Sequence, residues 1–299
     1  MINKIIQVSN LTKKFDQKIV LNDISFTVEE GDIYGFLGRN GSGKSTTMKA
    51  ILKLLNFDAG TIEVFNGTNI QDNDEYLKQV GSLIEEPAFY LNLTGYENLK
   101  IVQKLSELPV ENIDRVLSIV GLTESAHKLA KKYSLGMKQR LGIALALIKF
   151  PKILILDEPT NGLDPEGVRE IRDLIKSLPK KYGITVFISS HILSEIEKMV
   201  NKVAILDHGE IKFEGDIKTL EQGKNLTIMT NNTSATEGVL ASRNYKFDKE
   251  ADNIIINGSS PEMAIVINKL LVDSGIGVSE LHLAHHSLED IFLSITKGV

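Results

Sequence analysis

The chain has 299 residues, enough for one large domain and one small one, and its 42% hydrophobic and 24% charged residues are ordinary for a soluble globular protein. It contains no cysteine, which excludes disulfides, thiolate catalysis and zinc–thiolate sites and fits a reducing compartment. The formal net charge of -5 argues against a general nucleic-acid-binding protein, so we expect no nucleic-acid partner.

The N-terminal 30 residues predict three short strands separated by polar turns, at Ile5–Val8, Ile19–Leu21 and Ile24–Val28. The first residues alternate like a strand and lack the apolar core of a signal peptide. No apolar run in the chain reaches the roughly 18–20 residues of a membrane span. If the protein serves a membrane, we expect other chains to supply the spanning segments.

A glycine-rich motif follows the apolar run Ile33–Leu37, which predicts a short buried strand. Residues Gly38–Ser45 match the pattern G-x-x-x-x-G-K-[ST], and the apolar spacing after it predicts a helix from near Lys44. Glycines let the backbone wrap phosphates closely, and the N–H groups at the helix start attract anions. Lys44 would reach the β- and γ-phosphates, and the Ser45 hydroxyl would bind Mg²⁺. The predicted ATP-binding residues here are Gly38, Arg39, Asn40, Gly41, Ser42, Gly43, Lys44, Ser45 and Thr46.

Two uniformly apolar runs, Ile153–Leu156 and Thr185–Ser189, are typical of central strands in a parallel sheet. At the end of the first run, Asp157 can hold Mg²⁺ through water, and Glu158 fits a general base or water-polarising group. The ordinary alternative for this acidic pair is the N-cap region of a helix. After the second run, His191 lies where open α/β sheets bind ligands, although a single histidine is more often structural.

Phe15, just before the predicted strand Ile19–Leu21, is a candidate for stacking on adenine. A plain core phenylalanine is the alternative.

The C-terminal part changes character after a predicted hairpin, whose strands Val203–Leu206 and Ile211–Glu214 flank a turn. The polar stretch Glu221–Asn225 predicts a linker. Beyond it, short strands alternate with helices in a small α+β tail. The predicted tail strands are Leu226–Met229, Ile254–Ile256 and Val278–Leu283, and the predicted helices are Ala264–Leu271 and Leu288–Ile295. We therefore expect a nucleotide-binding domain at 1–220, with a helical subdomain at about 88–147, and a small α+β domain at 224–299.

A second anion site is indicated by the stretch Tyr133–Arg140. Ser134 and Gly136 lie in a loop before an apolar helical run, so backbone N–H groups and a hydroxyl face outward there. One chain rarely needs two phosphate sites facing different ways unless a second copy brings its own ATP. This arrangement resembles the ATP-binding subunit of ABC transporters, whose corresponding loop reads Leu-Ser-Gly-Gly-Gln. The resemblance covers roughly Ile5 to Gly215.

The resemblance implies a P-loop NTPase cassette, with a parallel core sheet, an antiparallel β subdomain, a helical insertion and an added α+β domain. It implies ATP and Mg²⁺ as cofactors and a partner cassette, identical or paralogous, that sandwiches each ATP. His191 then becomes the switch histidine that touches the γ-phosphate. The loop that contains Asn161 and Asp164 then links the two ATP sites. Without the family, we would interpret this loop as a turn followed by a helix cap. The residues expected to contact ATP from the partner are Ser134, Leu135, Gly136, Met137, Lys138, Gln139 and Asp164.

Two departures from the family pattern stand out. Leu135 and Met137 replace a glycine and a glutamine, while Ser134 and Gly136 are retained. Glu85 stands where the family has a glutamine that contacts Mg²⁺ and the attacking water and senses the membrane subunit. A glutamate is isosteric but charged, so Mg²⁺ should tolerate it while its coupling to neighbours changes; a neutral substitution is the alternative. The implied Mg²⁺ residues are Ser45, Glu85 and Asp157, partly through water, and the implied catalytic residues are Glu158, His191, Lys44 and Glu85.

Glu85, the 133–140 loop and the tail Ser287–Leu293 look like those of bacitracin and lantibiotic exporters. This likeness implies an ATPase subunit at the cytoplasmic face of the cell membrane, bound to integral membrane permease subunits that move peptide antibiotics. Export of another drug, ion or lipid is the nearest alternative. A non-transport ABC ATPase and an ATP-sensing binding module are further ones. Pro87, Phe89 and Tyr90 are expected to line a groove for the membrane subunit, with a plain aromatic core as the alternative.

Overall fold

The computed structural model describes residues 3–85, 87–220, 224–251 and 253–285, together with Leu288 and Phe292. The chain divides into two compact units, Met1–Gly215 and Asp216–Val299. Within the described residues, no helix is both long enough and apolar enough to cross a membrane.

The strands of the first unit form two sheets. In chain order they are β1 (Lys4–Phe15), β2 (Lys18–Glu29), β3 (Ile33–Leu37), β4 (Ala59–Val64), β5 (Thr68–Asn69), β6 (Val80–Leu83), β7 (Ile153–Leu156), β8 (Thr185–Ser190), β9 (Lys202–Asp207) and β10 (Glu210–Asp216), whose last residue lies across the unit boundary. The α-helices are α1 (Lys44–Ile51), α2 (Gly95–Leu105), α3 (Glu111–Ile119), α4 (Leu135–Leu147), α5 (Pro165–Tyr182) and α6 (Leu193–Ile196). Short 3₁₀ helices span Glu75–Gln79, Thr123–Ser125 and Ala130–Lys132.

The N-terminal strands are longer than the three short ones predicted. Two 12-residue strands, β1 and β2, pair as an antiparallel hairpin, so the predicted break after Leu21 is wrong. The polar residues Asn10 and Asp23 adopt positive φ angles of 52° and 55°, and the β1–β2 register shifts nearby. These bulges absorb the polar residues, because an extra residue in one strand leaves the ladder on either side intact.

The central sheet has the strand order β10-β9-β3-β8-β7-β6, and β9, β3, β8, β7 and β6 run parallel. The uniformly buried runs of β7 and β8 confirm that they are central strands. Phe26 on β2 packs against three aromatic rings of this sheet, on Tyr34, Phe36 and Phe187. This aromatic cluster joins the antiparallel sheet, of order β2-β1-β4-β5, to the parallel one.

The helical insertion lies between β6 and β7 and contains α2, α3 and α4. Thr94 and Glu97 form a capping box at the start of α2, in which each side chain accepts a hydrogen bond from the other's backbone N–H. The helical subdomain is predicted from about residue 88, but residues 88–94 form a loop with turns, and the first helix, α2, begins at Gly95. The buried amide of Asn98 secures this loop, since it accepts a hydrogen bond from Tyr90 N (2.8 Å) and donates one to Tyr90 O (3.0 Å).

The second unit is a small α+β structure. Its elements are α7 (Ile217–Leu220), β11 (Lys224–Thr230), α8 (Thr233–Ser242), β12 (Asp248–Glu250), β13 (Asn253–Ser259), α9 (Pro261–Asp273) and β14 (Val278–His285). The sheet order is β12-β13-β11-β14, with antiparallel pairs, around a core that includes Leu226, Ile254 and Ile267.

Two predictions for the C-terminal part reach beyond the described residues. Residues 221–223 of the predicted linker lie outside them. Lys224 pairs with β13 and β14 and Asn225 pairs with β14, so the linker prediction is wrong at those two residues. Of the predicted last helix, only Leu288 and Phe292 are described, and both are buried. The sequence Ser287–Leu293 is otherwise outside the described residues.

Candidate nucleotide site

Four neighbouring parallel strands end at the same edge of the central sheet. The strands β3 and β8 pair Leu37 with Ser190, β8 and β7 pair Ile188 with Leu156, and β7 and β6 continue the sheet. The glycine-rich loop follows β3, Asp157 and Glu158 follow β7, His191 follows β8, and Glu85 follows β6. The topology therefore brings all four predicted groups to one edge, where open α/β sheets bind ligands.

The glycine-rich loop has a backbone that other residues would not accept. A Cβ atom at Gly38 would lie 2.4 Å from the carbonyl oxygen of Leu206 and 2.4 Å from Ser42 Oγ. Gly43 has φ = 114° and directly precedes α1, whose first turn receives no side-chain cap. Because the first N–H groups of a helix have no partner within it, the start of α1 presents free donors toward this loop.

Ser42 and Lys44 supply the polar side chains inside the loop. The Ser42 hydroxyl oxygen is buried and has no hydrogen-bond partner among the described residues. The Lys44 side chain is only 6% exposed, and its Nζ donates to the carbonyls of Gly38 (2.8 Å) and Arg39 (3.3 Å). The ammonium group is thus held against the loop, where it can meet an anion. Of the other loop residues, Arg39, Asn40 and Gly41 are exposed, and Ser45 and Thr46 are half-buried.

Asp157 is buried and fixed by a serine that the sequence analysis did not select as a site residue. Ser189 Oγ on β8 donates to Asp157 Oδ1 at 2.5 Å and accepts a hydrogen bond from Glu158 N at 3.0 Å. Its signal in the sequence is weak: it is a hydroxyl residue at the end of the otherwise apolar run of β8. Ser189 therefore orients both acidic residues at the end of β7.

Glu158 joins the glycine-rich loop to the histidine. Its Oε1 atom lies 3.3 Å from Lys44 Nζ without forming a hydrogen bond, and its Oε2 atom lies 2.6 Å from His191 Nδ1. The His191 backbone N–H also donates to Oε2, at 3.3 Å. Glu158 has φ = 49°, an unusual left-handed conformation for this residue type. The structure brings these three predicted residues into direct contact.

Glu85 occupies the corresponding place beside Glu158, two residues beyond the end of β6. Its φ is 63°, its side chain is 67% exposed, and its Oε1 atom lies 2.5 Å from Lys49 Nζ on α1. Lys49 was absent from the sequence-based set of site residues. Nothing in the sequence distinguishes Lys49 from other lysines on helix surfaces, so only the fold reveals its contact with Glu85.

The stretch predicted as a loop with Ser134 and Gly136 is a capped helix start, because α4 begins at Leu135 and Gly136 lies in its first turn. Ser134 is the N-cap, and its Oγ accepts a hydrogen bond from Met137 N at 3.2 Å. Ser134, Leu135 and Gly136 line a cleft of about 470 Å³ together with Asp164. Asp164 is itself the N-cap of α5, with its Oδ1 accepting from Gly167 N at 3.1 Å. The two loops predicted to act across a dimer are therefore neighbours, and the described lining of their cleft includes none of the residues 38–46.

A larger groove of about 790 Å³ lies beside the acidic residues. Pro87 and Phe89 line it, whereas Tyr90 is 59% exposed and lies outside the described lining. The remaining lining residues are Glu85, Ala88, Leu91, Leu135, Lys138, Gln139, Asp157, Glu158, Asn161 and Gly162. The groove thus connects the loop after β6 with the acidic end of β7 and the start of α4.

Phe15 lies at the tip of the β1–β2 hairpin. Its side chain is 45% exposed, and Lys13 Nζ lies 5.1 Å from the centre of its ring. It is not part of the buried core, so the ring is available for contact with a planar ligand.

Comparison with known proteins identifies the family. The family model described as ABC transporter matches residues 21–161. The chain is 42% identical to the bacitracin transport ATP-binding protein BcrA of Bacillus licheniformis, over 98% of each chain. It is 41% identical to the lantibiotic transport ATP-binding protein SrtF of Streptococcus pyogenes, over 76% of this chain and 96% of that protein.

Solved structures agree with this assignment. A structure of the ATP-binding subunit of an ABC transporter is 30% identical and superposes with a TM-score of 0.64, covering 73% of this chain and 92% of that one. The structure of cbiO1 from Clostridium perfringens, part of the ABC transporter complex cbiONQ, is 26% identical with a TM-score of 0.68, covering 80% and 95% of the two chains. The predicted fold class is confirmed. The chain belongs to the ABC transporter family, in which it is an ATP-binding and ATP-hydrolysing subunit.

Proposed function

We propose that this ATPase subunit powers the export of peptide antibiotics of the bacitracin and lantibiotic kind, together with separate membrane permease subunits. The observation that carries the proposal is the similarity to a bacitracin transport ATP-binding protein over 98% of both chains, at 42% identity. Glu85, at the position where the family usually has glutamine, supports the same subfamily. The subunit would act at the cytoplasmic face of the membrane, bound to the permease subunits through the groove beside Pro87 and Phe89.

The residues at the sheet edge suit a nucleotide with its Mg²⁺ ion. Mg²⁺ prefers oxygen ligands and is usually held by one or two carboxylates together with substrate phosphates. The described residues contain no group of three or more histidines and acids arranged to hold a metal alone, which agrees with a site completed by phosphate oxygens. Ser45, Asp157 and Glu85 would hold the ion. When bound, it would neutralise charge on the β- and γ-phosphates.

The chain's own residues would bind the phosphates, polarise the attacking water and stack on the adenine. Lys44 would turn from the Gly38 and Arg39 carbonyls to the phosphates, because phosphate oxygens carry more charge than carbonyls. Glu158 would then be free of the lysine and could polarise the attacking water. His191, in contact with Glu158, would stabilise the γ-phosphate. Phe15 would stack on the adenine.

We further propose that two cassettes, identical or paralogous, enclose each ATP. Residues Gly38–Thr46 of one chain would bind the phosphates, and Ser134–Gln139 of the other would cover them, with Asp164 beside that loop. The capped and exposed start of α4, in a cleft whose described lining lacks the phosphate loop, supports an action on the partner's nucleotide. Closure on ATP and opening after hydrolysis would then drive the permease.

The catalytic assignment is tested by Glu158→Gln. We expect this variant to bind ATP, to lose turnover by about 10²–10³-fold, and to accumulate as an ATP-bound dimer, because the amide keeps the shape but cannot polarise water. Phosphate release, ATP binding and gel filtration measure the three properties. Glu75→Gln, which alters an exposed pair with Lys78, is the matched control and should behave like the wild type. Near-normal turnover of Glu158→Gln would overturn the assignment.

The substrate assignment is tested in a sensitive bacterial host that expresses the chain with its permease subunits. We expect the minimal inhibitory concentration of bacitracin or of a lantibiotic to rise, and the Glu158→Gln variant to abolish the increase. An unrelated small-molecule drug serves as the control. An unchanged inhibitory concentration for both peptides, in cells whose ATPase is active, would contradict peptide export and leave the ATPase assignment intact.

A further inference from the structure

Helix α1 supplies two lysines to two glutamates at the ends of adjacent strands. Lys44, at its first residue, lies 3.3 Å from Glu158 Oε1, and Lys49, five residues later, lies 2.5 Å from Glu85 Oε1. Five residues span about 7.5 Å along a helix axis, while neighbouring strands are about 4.8 Å apart. One helix can therefore reach both strand ends at once.

The two glutamates are structurally equivalent. The strands β6 and β7 pair Leu83 with Leu156, so Glu85 and Glu158 each lie two residues beyond a paired position. Both have a left-handed backbone, with φ = 63° and 49°. Non-glycine residues adopt this conformation at a cost in conformational energy, so contacts of the side chain help to hold it. Each glutamate finds such a contact in a lysine of α1.

The two ion pairs differ in how readily they can open. Lys44 and Glu158 are 6% and 21% exposed, whereas Lys49 and Glu85 are 35% and 67% exposed. Solvent screens an exposed pair strongly, so a competing cation can replace the lysine. The carboxylate of Glu85 also lines the groove that contains Asp157 and Glu158. A glutamine at position 85 would have no charge for Lys49 to balance.

We propose that Lys49 is a positioning residue. In the nucleotide-free protein its ammonium group holds the Glu85 side chain against α1, and when Mg²⁺ arrives with ATP the metal ion replaces Lys49 as the partner of that carboxylate. The inference rests on the proposed function of Glu85 as an Mg²⁺-contacting residue. The ammonium of Lys49 and the metal ion compete for one carboxylate, and the divalent ion carries the larger charge. When Glu85 leaves Lys49, the loop after β6, which lines the groove with Pro87 and Phe89, would move as well. The exchange thereby links arrival of Mg²⁺–ATP to the surface proposed for the permease.

Zero-length carbodiimide cross-linking tests the contact in the unaltered protein. The reagent joins an amine to a carboxylate only where the two groups touch, and peptide mass spectrometry identifies the linked residues. We expect a Lys49–Glu85 link without nucleotide, a similar yield with ATP and a chelator, and a yield at least twofold lower with Mg²⁺ and a non-hydrolysable ATP analogue. The exposed pair Lys53–Asp74, with the same 2.5 Å separation, is the matched control and should link equally in all three conditions. Equal Lys49–Glu85 yields in all three would overturn the proposal.

A double-mutant cycle tests the competition by equilibrium binding. The measured quantity is the ratio of ATP-analogue affinity with Mg²⁺ to the affinity without it. We expect Lys49→Gln to raise this ratio about two- to fivefold, within the range of exposed ion pairs, because Glu85 no longer has a competing partner. In the Glu85→Gln background the same change should have no effect, and Lys53→Gln should have none in either background.

The outcomes separate the two hypotheses. If Glu85→Ala, which removes the side-chain oxygens, leaves the ratio unchanged, the proposed contact of Glu85 with Mg²⁺ fails. If Glu85→Ala lowers the ratio but Lys49→Gln has no effect, only the positioning function of Lys49 fails. An equal effect of Lys49→Gln with glutamate or glutamine at position 85 would show that Lys49 acts on α1 alone and would also overturn the proposal.

Discussion

Two helices of the first unit begin at predicted phosphate-binding segments, and their first N–H groups differ in side-chain capping. Helix α1 follows Gly43 and has no side-chain cap, whereas α4 follows Ser134, whose hydroxyl accepts a hydrogen bond from Met137 N. The start of α1 therefore has no side-chain acceptor among its own residues, whereas at the start of α4 one N–H group, that of Met137, is capped within the chain. The difference supports the proposal that α1 binds the chain's own ATP, while the preformed start of α4 acts on a partner's nucleotide.

The largest expected effect is the loss of ATP turnover when the lysine at the start of α1 is removed. Lys44→Ala should lower ATP turnover by about 10²–10³-fold and weaken ATP binding, because a buried cation at the phosphate site is lost. Phosphate release and equilibrium binding of ATP measure the two effects. Lys53→Ala, just beyond the end of α1, is the control and should retain wild-type values. If Lys44→Ala kept turnover within tenfold of the wild type, α1 would not be the primary phosphate site.

A smaller effect is expected on the α4 side, where Ser134→Ala can be compared with Ser260→Ala. Both serines are N-caps, since Ser260 accepts from Met263 N in α9 as Ser134 does from Met137 N in α4. Each substitution should lower the free energy of unfolding of its own unit by about 1 kcal/mol. Only Ser134→Ala should also lower turnover, by about 10- to 100-fold, because a hydrogen bond to a charged phosphate is lost.

Denaturant unfolding and phosphate release at saturating ATP measure these two effects. ATP binding by dilute monomer should be unchanged in both serine variants. Equal turnover in the two would indicate that Ser134 is only a helix cap.

The smallest expected effect is a change in ATP affinity at the adenine end of the site that α1 forms. Phe15→Ala should weaken ATP binding about fivefold, corresponding to a stacking contribution of about 1 kcal/mol at an exposed ring. Thermal stability should change little because the side chain is not in the core. Ile19→Ala, an exposed apolar residue on the paired strand, is the control and should leave ATP affinity unchanged. An equal loss of affinity in both variants would point to the hairpin as a whole.

The nucleotide site shows which features could be predicted from local patterns. The spacing of Gly38, Gly43 and Lys44 after an apolar strand predicts the loop, because close approach to phosphate requires glycine and a helix start. Asp157 follows a fully apolar run and His191 follows a largely apolar one, and such runs indicate central parallel strands and therefore a shared edge. Their presence at one edge is seen in the fold. The functions assigned to these residues remain predictions.

Other features depend on contacts between distant parts of the chain. The prediction of three short N-terminal strands failed because polar residues such as Asn10 suggested turns, while pairing with neighbouring strands absorbs them as bulges. Ser189 and Lys49 were missed for a related reason. A serine ending an apolar strand, or a lysine on a helix, has no local signal until its partner is brought beside it.

The sequence by itself determined the family, the phosphate loop and which polar residues follow the central strands. These features depend on backbone conformation and periodicity over a few residues. Tertiary structure alone decided which charges meet. The pairing of Lys44 with Glu158 and of Lys49 with Glu85 requires the register of β6 on β7 and the position of α1 above them. Electrostatic energy depends on separation in space, and residues 36 or 114 positions apart come into contact only when the sheet is complete.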